Sequence, residues 1–181
     1  MTAALLVPAS AFAQGTEHFI NGIRPWDGKP ARRGPVLLQR AMLDVHNAAR
    51  RSYGVAPLKW NAALADSARG WAAQLAARRQ FAHDPQKGID PSQGENLYRG
   101  TRGAFSYAAI AQLWVDERRD FRPGRFPDVV ASGAWQRVGH YTQIIWPATR
   151  EVGCALSSDA ENDFLVCRYA PAGNYYGVTL K

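Results

Sequence analysis

The sequence predicts an α+β sandwich. Two amphipathic helices open the domain, a third carries an acidic residue on its apolar face, and the C-terminal third alternates in β fashion around two cysteines. Helices followed by strands, rather than alternating with them, point to helices packed on a largely antiparallel sheet. At 181 residues the chain has room for one domain with a sizeable core. With 46% hydrophobic and 20% charged residues it has a globular balance.

The first 13 residues carry no charge, and Ala3-Ala4-Leu5-Leu6-Val7 is an apolar block. Ala11-Phe12-Ala13 then gives the small-x-small pattern of a signal-peptidase site, so 1–13 is expected to be a signal peptide, lacking the usual basic start. An apolar N-terminal tail is the other reading. From Gln14 to about Pro35 the chain is rich in Gly, Pro and Arg without periodicity, an extended arm or linker ahead of a domain at 36–181. His18 in this arm has no evident partner and reads as a surface histidine.

Leu38, Met42, Val45 and Ala49 fall at i, i+4, i+7 and i+11, one face of a first helix that Gly54 and Pro57 end. Asn61 is a good N-cap for a second helix reaching Arg79, with Leu64, Ala68, Trp71 and Leu75 inside and Asp66, Arg69, Gln74 and Arg78 outside. The segment 81–103 is punctuated by Pro85, Gly88, Pro91, Gly94 and Gly100 and reads as loop, with a short strand near Leu97. A third helix spans about Ser106 to Asp120. On it, Glu117 lies seven residues after Ile110, on the same apolar face as Leu113 and Trp114. A carboxylate buried alone costs several kcal/mol, so Glu117 requires a partner.

Three stretches rich in Ile, Val, Tyr and Phe follow, at about 140–146, 151–156 and 163–169, and all three read as strands. The polar run 157–162 joins the last two as a hairpin, which brings Cys154 and Cys167 within bonding reach. In an oxidising compartment this pair is expected to form a disulfide. The alternative is a thiol nucleophile, but neither cysteine sits at a recognisable helix start that would favour a thiolate.

Charge and hydropathy narrow the function classes. No apolar run approaches the roughly 18 residues that a transmembrane helix needs. The net charge is +7 with a pI near 9.8, and only Lys29, Lys59, Lys87 and Lys181 of the 22 basic residues are lysines. The arginines are scattered, and no helix-turn-helix, zinc-finger or aromatic stacking motif accompanies them, so nucleic-acid binding is not indicated. Outside the cytoplasm, such a charge favours anionic lipids and cell-wall polymers.

Four residues stand out for chemistry: His83, Glu95, Glu117 and His140. Each also admits an ordinary structural role, and their spacing matches no metal motif such as H-E-x-x-H. What joins them is a resemblance. His46-Asn47-Ala48-Ala49-Arg50, Pro57-Leu58-Lys59-Trp60-Asn61, Gly94-Glu95-Asn96-Leu97, Gly139-His140-Tyr141-Thr142-Gln143, Val152-Gly153-Cys154-Ala155 and Cys167-Arg168-Tyr169 through Gly173-Asn174-Tyr175 together resemble the CAP superfamily of cysteine-rich secretory, antigen 5 and pathogenesis-related proteins, in a bacterial secreted form. The likeness runs from about Leu38 to Gly177.

The resemblance implies a three-layer α-β-α sandwich with a mainly antiparallel central sheet, and a secreted or periplasmic location. It implies a cleft lined by His83, Glu95, Glu117 and His140, with His46 a structural helix residue. Two imidazoles suit Zn²⁺ or a similar divalent ion, with Glu95 and Glu117 completing the cleft. Glu95 and Glu117 are also the candidates for acid–base catalysis. Three functions are compatible with such a site: a binding module for lipid, sterol-like or cell-wall ligands, which is favoured over an enzyme; a metal-dependent hydrolase or protease; and a structural scaffold. No organic cofactor is implied. Two departures from the family pattern matter. Asp84 replaces the usual hydroxyl residue after the first histidine, and two cysteines cannot build the cysteine-rich extensions that give some relatives ion-channel activity.

Overall fold

A computed structural model describes residues 28–86, 88 and 92–181 of the chain. The expected signal peptide, 1–13, and most of the expected arm lie outside the described residues. Helix α1, Pro35–Tyr53, starts on a proline and stops at Gly54, whose left-handed φ of 84° lets its N–H return to the Arg50 and Arg51 carbonyls. Helix α2, Ala62–Arg78, is capped by the Asn61 side chain, which accepts from Leu64 N. Helix α3, Tyr107–Asp116, is capped likewise by Ser106 and runs into a 3₁₀ turn at Glu117–Arg119.

Strands β1 (Lys59–Trp60), β2 (Gly94–Thr101), β4 (Glu151–Ser158) and β5 (Asn162–Ala170) form one sheet in the order β1-β4-β5-β2. Among the described residues, only the short β1–β4 pairing in this sheet is parallel. Strands β3 (Gly124–Arg125) and β6 (Thr179–Leu180) make a separate two-stranded ribbon that the sequence reading did not foresee. Alternation along the strands sorts the side chains into two cores. Cys154, Leu165, Cys167 and Tyr169 pack with α1, α3 and Tyr141, Ile144 and Ile145, whereas Leu97, Ala155, Phe164 and Val166 pack against α2. The result is the expected α-β-α sandwich.

The expected hairpin forms, with Cys154 directly opposite Cys167 and the two joined by a disulfide. Closing so short a loop contributes roughly 2–3 kcal/mol on the chain-entropy model. Gly153 has a different task. A Cβ there would lie 2.2 Å from Ala65 N, so its absence lets the first turn of α2 press onto β4.

One expected strand is corrected. Residues 140–146 do not extend a sheet; Gly139–Ile145 is a short helix, α4, entered through a 3₁₀ turn at Trp135–Val138. Tyr141, Thr142, Gln143, Ile144 and Ile145 are all buried. A helix covered on every side shows no polar face, so its β-branched and aromatic composition read as a strand.

Candidate functional site

The cleft is built where the start of β2 meets α4 and the loop that follows α2. The Gly94-Glu95-Asn96 triplet sets its floor. Gly94 passes so close to Gln143 that a Cβ would sit 2.2 Å from Gln143 Oε1. Asn96 donates through Nδ2 to the His140 carbonyl at 3.2 Å and to the Tyr169 hydroxyl at 3.0 Å, tying β2 to α4 and to β5. Between them, Glu95 Oε1 accepts from His83 Nδ1 at 2.5 Å and from Asp84 N at 3.2 Å. Glu95 and Arg168 are directly opposed in the β2–β5 register, and Glu95 Oε2 lies 3.0 Å from the Arg168 guanidinium.

The second pair joins His140 of α4 to Glu117 of the 3₁₀ turn after α3. Glu117 Oε1 accepts from His140 Nδ1 at 2.6 Å, and its Oε2 accepts from the His140 and Tyr141 backbone N–H groups at 3.0 and 3.1 Å. Those are two of the donors that the first turn of α4 cannot satisfy internally. The expectation that Glu117 needs a partner is met by the start of a helix and an imidazole together. His140 also stacks on Trp114, with ring centres 5.8 Å apart and planes 21° from parallel.

All four residues singled out in the sequence thus fall into two histidine–carboxylate pairs. A cavity of about 210 Å³ is lined by His83, Glu95, Asn96, Trp135, Gln136, Gly139, His140 and Asn174. Glu117 stands behind His140 rather than on the cavity wall. A carboxylate only accepts, so each pair places a ring proton on Nδ1; in the neutral imidazole the lone pair is then on Nε2. Among the described residues, no three His, Cys, Asp or Glu side chains are grouped to hold a metal ion.

The sequence reading missed three supporting residues. Arg168 is fully buried and bridges Glu95 and Asp84. Asn174, at φ 59°, accepts from Thr142 Oγ1 and donates to the Gly139 carbonyl. Arg50 donates to four backbone carbonyls, those of Ala56, Ile144, Trp146 and Thr149. All three lie inside the quoted motifs, but a buried arginine and a positive-φ asparagine leave no periodic trace.

His46 belongs to the frame. Its Nε2 meets the Tyr169 hydroxyl at 2.8 Å. Asn96 already donates to that hydroxyl, so the tyrosine proton is free to go to His46 Nε2. Burial pulls the His46 pKa from 6.5 down to about 4. The unfolded chain therefore takes up a proton near pH 6.5 that the folded chain refuses until about pH 4, and stability falls as the pH drops through that window. We expect His46 to remove about 2–3 kcal/mol between pH 7 and pH 4.5. Urea unfolding at the two pH values measures this, and His46→Gln should flatten that part of the dependence. An unchanged slope in the variant would contradict it.

The fold and the cleft define the class: an α-β-α sandwich carrying two histidine–glutamate pairs beside the start of one strand. The family model described as CAP, the cysteine-rich secretory protein family, matches residues 43–169, and the chain belongs to that family. Pathogenesis-related protein 1A of Nicotiana tabacum is 36% identical over 140 residues, which cover 77% of this chain and 78% of that protein. Venom allergen 5.02 of Dolichovespula maculata is 36% identical over 126 residues, 65% of this chain and 56% of the allergen. Among solved structures, NaASP2 with Zn²⁺ superposes with a TM-score of 0.68 at 21% identity, covering 83% of this chain and 88% of that one. BmVAL-1 gives 0.66 at 23%, covering 83% and 84%. At those identities the likeness is one of fold.

Proposed function

We propose that this chain is an exported binding protein whose cleft holds a divalent cation, Zn²⁺ first, between Nε2 of His83 and Nε2 of His140. The observation that carries this reading is the shared hydrogen-bond pattern: both imidazoles give Nδ1–H to a glutamate. A carboxylate behind an imidazole raises its basicity and aims the opposite nitrogen at a metal. Two protein ligands make an open site of modest affinity, with the remaining positions left to water or to an anionic group of a ligand. Bound there, the ion would supply a positive centre to a cavity otherwise lined by amides, imidazoles, an indole and the Glu95 carboxylate. That NaASP2 has been crystallised with Zn²⁺ supports the choice of metal.

Binding is favoured over hydrolysis by how the carboxylates are used. Glu117 meets three donors, and Glu95 meets an imidazole, a backbone N–H and a guanidinium. Glu117 has both oxygens hydrogen-bonded, and Glu95 Oε2, which accepts no hydrogen bond among the described residues, is ion-paired with Arg168, which holds it as a carboxylate partner rather than a free general base. The lipid, sterol-like or cell-wall character of the ligand rests on the family resemblance and on the basic surface. Export rests on the apolar start of the chain, on the disulfide and on the family.

Calorimetric titration of Zn²⁺ into metal-free protein at neutral pH tests the site. Binding in the micromolar range or tighter is expected, and it should be lost in a His83→Ala/His140→Ala variant that keeps its fold. Equal binding by that variant would place the metal elsewhere.

A further inference from the structure

The two halves of the cleft are held very differently. His140 is part of α4, stacked on Trp114 and backed by Glu117, which also grips the α4 backbone. His83 lies on the irregular segment after α2, and its side chain is 68% exposed. Among the described residues no ring stacks on it, and its side chain is held by Glu95 and by its neighbour in sequence.

That neighbour is Asp84, and both its oxygens are in use. Oδ1 accepts from Gln86 N at 2.9 Å, closing a turn, and Oδ2 accepts from Arg168 at 2.6 Å. The Asp84 backbone N–H donates to Glu95 Oε1, the same oxygen that holds His83. Gln86 then fastens the loop to the strand entry, donating to the Gln93 carbonyl at 2.8 Å and accepting from Gln93 N at 2.7 Å. Arg168 is completely buried, and among the described residues its Nε and second terminal nitrogen meet no hydrogen-bond partner. Its charge is therefore compensated by Asp84 and Glu95. A buried guanidinium draws strongly on its few anionic partners, because separating it from either leaves charge uncompensated in a low-dielectric interior.

We propose that Asp84 and Arg168 form a latch that positions the loop-borne half of the metal site, pinning Asp84 to the sheet so that His83 is held against Glu95 with Nε2 toward the cavity. Asp84 and Arg168 are positioning residues, not ligands. The proposal rests on the metal reading above for its effect on affinity, but the latch itself is visible without metal. It also gives a role to the residue by which this chain departs from the usual hydroxyl after the first histidine.

The test uses Asp84→Ser, which keeps a hydroxyl acceptor for the Gln86 turn and removes the Asp84 carboxylate from Arg168, leaving Glu95 as its remaining anionic partner. In calorimetry, Zn²⁺ affinity is expected to fall about 10- to 100-fold, the range for a residue that orients a ligand. In a His83→Ala background the same change should have no further effect, because the latch acts through His83. An equal loss in that background would show a general charge effect and overturn the proposal, as would full affinity in Asp84→Ser. In metal-free protein, long-range ¹H–¹⁵N spectra should show His83 with its proton on Nδ1 in the wild type and a mixture of tautomers in Asp84→Ser. If the wild type binds no Zn²⁺ the metal reading fails, and the tautomer then decides the latch: an unchanged His83 tautomer in Asp84→Ser overturns it.

Discussion

Replacing Arg50 with methionine is expected to cost about 3–5 kcal/mol of stability, the largest effect of any single change considered for this chain. Methionine refills most of the volume, so the loss comes from hydrogen bonding. Arg50 is fully buried and donates to Ala56 O at 2.6 Å, Ile144 O at 2.7 Å, and Trp146 O and Thr149 O at 3.0 Å each. Removing it leaves four carbonyls without this donor, each costing on the order of 1 kcal/mol. Two of the four, Ile144 and Trp146, lie at the end of α4, so the arginine from α1 closes the helix that carries His140. Urea unfolding at neutral pH measures the loss. Less than about 1 kcal/mol would mean that the carbonyls find other donors and that α4 does not depend on this clamp.

Glu117→Ala is expected to cost roughly 2–4 kcal/mol and to disable the histidine half of the cleft built on α4. The carboxylate serves the backbone N–H groups of His140 and Tyr141 and the His140 ring, and alanine serves none of them. Glu117→Gln separates the two effects. Its carbonyl can still accept from the backbone, so stability drops less. Its amide group, if turned to the ring, donates to His140 Nδ1 and moves the imidazole proton to Nε2, where it blocks a metal. Both variants should therefore lose Zn²⁺ affinity while differing in unfolding free energy. Equal stability losses in the two would assign Glu117 to charge compensation instead.

These two residues also explain what the sequence hid. Helices α1, α2 and α3 were legible because each carries an amphipathic stripe, and α2 and α3 announce their starts with Asn61 and Ser106. The β4–β5 hairpin was legible from alternation and the paired cysteines. Helix α4 was not. It has no side-chain cap of its own, it is buried around its circumference, and its ends are finished by Glu117 and Arg50 from other elements. Its stability is tertiary, and a local reading of His-Tyr-Thr-Gln-Ile-Ile-Trp favours a strand.

The site shows the same division. Glu117 was conspicuous because a carboxylate on an apolar stripe contradicts its surroundings, and the structure resolves the contradiction with three donors. His83 and Glu95 carried no such local signal and were joined to the site through the family pattern. The Asp84–Arg168 pair was invisible because its members are 84 residues apart and meet only once β5 is paired beside β2.

The central claim, that the two glutamates hold Nδ1 of His83 and His140 so that both Nε2 atoms take one divalent ion, is tested most directly by imidazole ¹⁵N spectra recorded while Zn²⁺ is titrated into metal-free protein. The account predicts that the Nε2 resonances of His83 and His140 move together to a single stoichiometric endpoint, that both Nδ1 atoms stay protonated, and that buried His46 does not respond. Coordination through Nδ1, movement of only one of the two rings, or no movement in either would contradict it.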